Sequence, residues 1–333
     1  MESEKRCKVC VTGGASYIGS SLVKKLLEKG YTVHSTLRNL KDESKTRVLR
    51  GLAKANDRVV LFEADIYKPY QYEAAIQGCE FVFHVATPYK HQWDSQFENM
   101  SEAAIAGIKS IATYCIKSGT VRRLIYTASV VAASPLKDDG TAFKHFIDET
   151  CWTPLNLSSS ALHKEYTDSK TLAERELLSY GNGSEMEVVS LGCGLVGGDT
   201  LLSHTPTSVA LLISQLKDNE TTFLSLKFLE DLVGKIPIVH IDDVCEAHIF
   251  CAENPSIHGR FLVASSYASS TDLANYYLHT YPQFNLNKKY LEGPKRDIKW
   301  ASTKLTDKGF VYKYDLNMIL DDSIRCATRI GDQ

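Results

Sequence analysis

Short apolar runs alternate along the chain with longer stretches whose apolar residues recur at helical spacing. Lys8–Val11 (KVCV), Thr32–Leu37 (TVHSTL), Val59–Phe62 (VVLF), Glu80–Val85 (EFVFHV), Leu124–Ala128 (LIYTA) and Val188–Leu191 read as strands. Between them, Gly19–Lys29, Phe97–Lys117 and a stretch around Tyr166–Tyr180 carry helix patterns. Such alternation predicts βαβ units and an α/β fold with a doubly wound parallel sheet, helices on both faces. Beyond residue 195 the rhythm breaks into polar, Pro-containing loops and isolated helices such as Thr271–His279. The expected organisation is a nucleotide-binding domain over 1–194 and a smaller, interleaved C-terminal substrate lobe over 195–333, with no internal repeat or linker.

The first strand runs into Thr12-Gly13-Gly14-Ala15-Ser16-Tyr17-Ile18-Gly19 and then a helix. Such a loop bends tightly and brings backbone N–H groups to a pyrophosphate at the helix's positive end. Placed on the first strand–helix crossover, it points to a Rossmann-type dinucleotide domain, with Gly13, Ser16, Tyr17, Ile18 and Gly19 at the cofactor. The second strand ends at Leu37-Arg38-Asn39, where the residue about 20–25 positions past the loop meets the adenosine ribose. An acid there would take the 2′-hydroxyl of NAD. Arg38, with Lys41 and Lys45 behind it, points instead to a 2′-phosphate and hence to NADP(H); the bland alternative is a solvated basic turn. Asp65, after the third strand (FEADI), is placed to accept from the adenine amino group, and Ile66 to cover the ring.

Tyr166-Thr167-Asp168-Ser169-Lys170 is a YxxxK pattern at the head of the helix after the fifth strand. The i,i+4 spacing sets phenol and ammonium on one helix face. A lysine cation favours the phenolate, drawing the tyrosine from its free pKa of about 10 toward working pH. It can then donate a proton to a substrate oxygen as hydride arrives. Ser129, just past the fifth strand, is expected to hold that oxygen. His163, three residues before Tyr166, is a candidate pocket residue.

Composition narrows the function classes. Of 333 residues 44% are apolar, enough for a packed core, and the charge balance is 38 − 40 = −2, which offers no field for a phosphate backbone. Nine scattered cysteines suit a reducing compartment, and the lone CxxC of Cys7 and Cys10 reads as strand cysteines rather than a metal or redox site. The first residues do not read as a secretory signal, and Thr200–Leu216, with His204 and Pro206, does not read as a membrane span. In a cytoplasmic chain the sequons at Asn99, Asn156, Asn182 and Asn219 carry little meaning. His240, Asp242, Asp243 and His248 match no compact metal site, so no metal is expected. Phe223, Phe228 and the leucine-rich Leu201–Leu232 region roof an apolar pocket or form ordinary core. The partners expected are small molecules, not nucleic acid or membrane, for a monomer or weak homodimer.

The strings TGGASYIG, FEADI, VFHVATP (Val82–Pro88), TAS, YTDSK and VHIDDVCEAHIF (Val239–Phe250), with Arg38, resemble the extended short-chain dehydrogenase/reductases. Within that family the resemblance is to the plant dihydroflavonol 4-reductase, anthocyanidin reductase and vestitone reductase group, over nearly the whole chain. KKLLEKGYTVHSTLRNL and LGCGLVGGD (Leu191–Asp199) look nearest to its HC-toxin reductase and anthocyanidin-reductase-like branch. The resemblance makes Ser129, Tyr166 and Lys170 the catalytic triad, Val85, Ala86 and Thr87 strand-end contacts to the cofactor, and Lys45 a second ligand of the 2′-phosphate. Cys193 stands where many relatives have a proline beside the nicotinamide, and Val196 joins it among the cofactor contacts. Ser16 replaces the middle loop glycine, and Ser134 stands at a substrate-facing asparagine of dihydroflavonol reductases.

The expected activity is NADPH-dependent reduction of a ring-bearing carbonyl or conjugated plant metabolite. Two other readings share the scaffold. A nucleotide-sugar epimerase or dehydratase would want tightly held NAD, against which Arg38 stands. A non-catalytic NADP(H)-binding regulator would have no need of the Tyr166/Lys170 pair.

Overall fold

The structure, a computed structural model, describes residues 7–52, 55–88, 96–155, 157, 161–181 and 186–331. In chain order it forms β1 (Lys8–Thr12), α1 (Tyr17–Glu28), β2 (Thr32–Leu37), α2 (Glu43–Arg50), α3 (Ala55–Arg58), β3 (Val59–Glu63), α4 (Glu73–Ile76), β4 (Phe81–His84), α5 (Met100–Ser118) and β5 (Arg123–Ser129). Next come β6 (Phe146–Ile147), α6 (Ala161–Ser179), β7 (Glu187–Cys193), β8 (Leu195–Gly197), α7 (Thr207–Leu212), α8 (Glu220–Val233), β9 (Ile236–His240) and α9 (Ile241–Glu253). The chain ends with β10 (Gly259–Val263), β11 (Ser266–Ala268), α10 (Ser270–Thr280), β12 (Lys299–Trp300), α11 (Lys304–Asp307) and α12 (Leu316–Ile330).

All six strand-like runs of the sequence are strands of one seven-stranded sheet, in the order β10-β7-β5-β4-β1-β2-β3. The β1–β2, β2–β3, β1–β4 and β4–β5 pairs are parallel. The central strands β1, β4 and β5 are buried on both faces, as a doubly covered sheet requires: Val9, Cys10, Val11, Val82, Phe83, Leu124 and Ile125 are fully buried, whereas Val60 of the edge strand β3 is exposed. Strand order reverses between β1 and β4. In such sheets ligands bind in the crevice at the carboxyl ends of the strands at the reversal.

By their contacts the residues fall into two units, 1–128 with 164–191 and 245–260, and 129–163 with 192–244 and 261–333. The two units interleave along the chain, so each takes stretches from both sides of residue 194. The second half of α9 belongs to the first unit because His248 Nε2 bonds Thr127 Oγ1 at 2.8 Å and the helix end is tied to Arg123. Residues 129–163 belong to the second because Ser134 Oγ donates to the Leu232 carbonyl and Glu149 accepts the Leu262 N–H at 3.2 Å.

Arg123 is a polar anchor of the first unit. Its guanidinium is almost wholly buried, pairs with Glu187 through Nε at 2.9 Å, and donates to the carbonyls of Cys251, Asn254 (2.8 Å) and Pro255 (3.2 Å). The last carbonyls of a helix lack intrahelical partners, and a cation there answers both the hydrogen bonds and the dipole. Helix α5 is bracketed by Asn99, whose side chain accepts the Glu102 N–H, and by left-handed Gly119. Asn219 caps α8 in the same way. Two of the four sequon asparagines are thus helix caps; Asn156 and Asn182 lie outside the described residues.

In the second unit β8 pairs parallel and β11 antiparallel with β9. Helix α10, anticipated over Thr271–His279, opens on a capping box between Ser269 and Asp272. Here His240 stacks on Tyr314 (3.6 Å between centroids) and bonds Asp322, Tyr314 donates to Asp242, and Asp243 accepts the N–H groups of Lys313 and Tyr314. These side chains fasten the C-terminal segment to β9 and α9. Among the described residues no helix is long and apolar enough to cross a membrane.

Candidate active site

Gly13 turns the chain after β1 at φ +67°, in the left-handed region open to glycine. Its N–H donates to Thr36 Oγ1 at 3.1 Å and that of Gly14 to the Thr36 carbonyl at 3.0 Å, which pins the loop to β2. A Cβ on Gly14 would stand 1.8 Å from Ser35 Oγ, and one on Gly19 2.2 Å from the Gly13 carbonyl oxygen. Neither position admits a side chain, so bare backbone lines the crevice beside β1. Ser16 N-caps α1, its Oγ accepting the Gly19 N–H at 3.1 Å. Half-buried Tyr17 and Ile18 form the first turn.

Arg38 follows β2 with its side chain 59% exposed, and its Nε is 3.7 Å from Asp65 Oδ2. Asp65 Oδ1 accepts the Tyr67 N–H at 3.1 Å, so the carboxylate has a fixed orientation. Lys45 lies exposed in the first turn of α2. A glycine loop without side chains at Gly13, Gly14 and Gly19, a helix start and an accessible cation one strand away fit a nicotinamide dinucleotide. Ile66 departs from expectation. Its side chain is buried, and a Cβ on Gly107 of α5 would come 2.5 Å from its Cδ1. It belongs to the core and does not offer a face to a ring.

Across the reversal, β4 ends at His84. The N–H groups of Val85 and Ala86 both donate to Thr12 Oγ1, at 3.0 and 3.1 Å. Thr87 Oγ1, next along, accepts from Lys170 Nζ at 2.8 Å. Lys170 is 4% exposed, also donates to the Thr127 carbonyl at 2.9 Å, and lies 5.0 Å from the centroid of the Tyr126 ring. Its ammonium is therefore held from β4, β5 and an aromatic face at once. Half-buried Tyr166 sits one helical turn earlier on α6. Thr12, His84, Tyr126 and Thr127 were not anticipated as site residues, although Thr12 and His84 stand in the strings TGGASYIG and VFHVATP. Their only sequence signal was adjacency to the loop and strand-end motifs.

The remaining candidates belong to the second unit. Ser129 closes β5 with Oγ accepting the Val131 N–H at 3.3 Å. Cys193 and Val196 are buried on either side of Gly194. His163 stacks on Phe228 at 4.3 Å and bonds Ser225 Oγ at 3.3 Å, while Phe223 packs edge-on against Tyr290. Ser134 corrects the expectation of a substrate contact. It is fully buried, and its hydroxyl donates to the Leu232 carbonyl and accepts the Leu136 N–H. A cavity of about 770 Å³ in the first unit opens at the opposite end of the strands, lined by Cys7, Tyr31, Phe81 and Arg123, and has no part in this constellation.

Comparison with known proteins agrees with this geometry. Residues 9–264 match the NAD dependent epimerase/dehydratase family. The chain is 34% identical over 318 residues to an anthocyanidin reductase of Vitis vinifera, covering 95% of this chain and 93% of that one. It is 33% identical over 335 residues to the dihydroflavonol 4-reductase of Gerbera hybrida, covering 99% and 88%. Among solved structures, vestitone reductase from alfalfa superposes with a TM-score of 0.80 at 29% identity, covering 98% of this chain and 99% of that one. The chain belongs to the NAD dependent epimerase/dehydratase family of extended short-chain dehydrogenases and reductases, and it stands there among the plant flavonoid reductases.

Proposed function

We propose that this oxidoreductase works with NADP(H) and reduces a carbonyl or conjugated group on a ring-bearing, flavonoid-like plant metabolite. The observation that carries the reading is the fixing of Lys170 by Thr87 and Thr127 one helical turn after Tyr166. A nicotinamide cofactor held at the crevice where the strand order reverses would supply a hydride. The glycine loop, which has no side chain at Gly13, Gly14 and Gly19 to bar close approach, and the positive end of α1 hold the pyrophosphate. Arg38, with Lys45 beyond it, receives the 2′-phosphate, and Asp65 orients Arg38 and the adenine edge. Lys170 orients the nicotinamide ribose and lowers the cost of the Tyr166 phenolate, so Tyr166 can release its proton to the substrate oxygen. Ser129 Oγ holds that oxygen while charge develops on it. The family resemblance makes Cys193 and Val196 contacts of the cofactor and His163, which stacks on Phe228, a contact of the substrate. The partner is a small molecule; the protein acts in the cytoplasm, where its nine free thiols stay reduced, as a monomer or weak homodimer.

The test is fluorescence titration of the purified protein with NADPH and NADH, followed by loss of 340 nm absorbance across flavonoid, isoflavonoid, alkaloid and aliphatic ketone panels. Tighter binding of NADPH and turnover in a flavonoid arm are expected. Preference for NADH overturns the cofactor assignment, and NADPH binding with no turnover on any panel favours a regulator instead.

A further inference from the structure

Thr12 and His84 end adjacent parallel strands and stand opposite one another in register. Thr12 Oγ1 makes three contacts: Val85 N at 3.0 Å, Ala86 N at 3.1 Å and His84 Nδ1 at 2.8 Å. A hydroxyl has two acceptor lone pairs and one hydrogen. The two amides take both lone pairs, so the hydrogen must point at His84 Nδ1. That nitrogen is then bare, and the imidazole carries its proton on Nε2. Burial and the nearby Lys170 charge drive the His84 pKa down to about 3, so the ring stays neutral. The groups facing it fit this state: Tyr126 stacks on it at 5.4 Å between centroids, and Lys170 Nζ lies near the same Tyr126 ring.

We propose that the Thr12–His84 pair is a positioning device for Lys170, in which a neutral imidazole aims the Thr12 hydroxyl so that its lone pairs fix the Val85 and Ala86 amides and thereby hold Thr87 at the ammonium. Neither residue touches substrate. The inference rests on the reading of Lys170 as catalytic, but its geometry does not.

Nitrogen-15 spectra of the labelled protein, with His84 assigned by loss of its signals in His84→Asn, test the proton's place. An unprotonated Nδ1 and protonated Nε2 are expected, and a protonated Nδ1 overturns the proposal. Thr12→Val then removes the hydroxyl at constant shape. Amide exchange at Val85 and Ala86 should accelerate at least tenfold, the Lys170 ammonium signal should lose its exchange protection, and kcat should fall at least tenfold while KM stays within a few-fold. Thr12→Ser should restore all of these. Unchanged exchange, or faster exchange with Lys170 undisturbed, sinks the positioning role. The exchange and nitrogen signals need no substrate, so they decide this proposal even where the panels find no turnover. Should Thr12→Val fail to fold, His84→Leu, which deletes the acceptor, is compared with His84→Asn, whose Oδ1 replaces it. Equal exchange in the two variants also overturns the proposal.

Discussion

Ser16 Oγ holds the Gly19 amide at 3.1 Å, so the one side chain in the glycine loop that departs from the family pattern serves as the cap of the helix that follows. Replacing it tests two properties at once. Ser16→Ala should destabilise the protein by about 1 kcal/mol, the usual worth of an N-cap, whereas Ser16→Gly should cost only a few tenths. Because either change frees the Gly19 N–H for phosphate, NADPH affinity should hold or tighten. Urea denaturation and fluorescence titration measure the two effects; a collapse of affinity in Ser16→Gly would mean that the hydroxyl itself binds phosphate.

Arg38 Nε stands 3.7 Å from Asp65 Oδ2. Arg38→Asp sets two carboxylates at that edge, repelling a 2′-phosphate and accepting a 2′-hydroxyl. Preference should move from NADPH toward NADH by at least tenfold, about 1.4 kcal/mol. The ratio of the two dissociation constants is the measurement, and an unchanged ratio removes Arg38 from the cofactor site.

Tyr166→Phe keeps the ring and deletes the proton donor. Turnover should fall by roughly 10²–10⁴ while NADPH binds within a few-fold. Lys170→Ala should weaken both binding and turnover, since it also releases Thr87 and Thr127. The double variant should lose less than the product of the two, as residues serving one transition state do. Single-turnover kinetics with chemistry rate-limiting decide it: more than a tenth of wild-type rate in Tyr166→Phe excludes the tyrosine as the acid.

His84 links stability to pH. Its pKa is depressed from 6.5 to about 3 in the folded protein, chiefly by burial and then by the Lys170 charge. Between those values the unfolded chain binds the extra proton. The stabilising contribution is therefore complete above about pH 6.5 and lost as pH falls toward 3, at up to about 1.4 kcal/mol per pH unit. The unfolding free energy of wild type should consequently fall more steeply from pH 6.5 to 4 than that of His84→Asn. Parallel curves would mean that the imidazole titrates normally.

The parts of this fold and site that could be read from the sequence are those where a local pattern has a single physical solution. Runs such as KVCV and EFVFHV are apolar on both faces and suit a covered parallel strand, and Gly13 and Gly19 sit where a Cβ meets backbone. What could not be read depends on partners distant in sequence. Ser134 looked free for substrate because nothing local shows that its hydroxyl reaches Leu232, and Ile66 looked like a cover for a ring because Gly107 is far along the chain. Residues 245–260 follow the second unit's strands in sequence, yet their polar ties run back to Thr127 and Arg123. The direction of the Thr12 hydrogen follows from strand register, which no spacing rule supplies.

Arg123 separates the amount of this protein from its quality. Its guanidinium joins β5, Glu187 of β7 and the carbonyls that end α9, all away from the residues proposed for chemistry. Deleting it would strip the donors from the buried carbonyls at Cys251 and Asn254, at about 1–3 kcal/mol for each group left unsatisfied, a large share of the roughly 5–15 kcal/mol that keeps a domain folded. A cell carrying a lesion at this position would look like an enzyme knockout, with its substrate accumulating and its product missing. The few molecules that escaped degradation would nevertheless turn over at the normal rate, and a chaperone, a lower growth temperature or a tightly bound ligand would recover activity that no substitution at Tyr166 could regain.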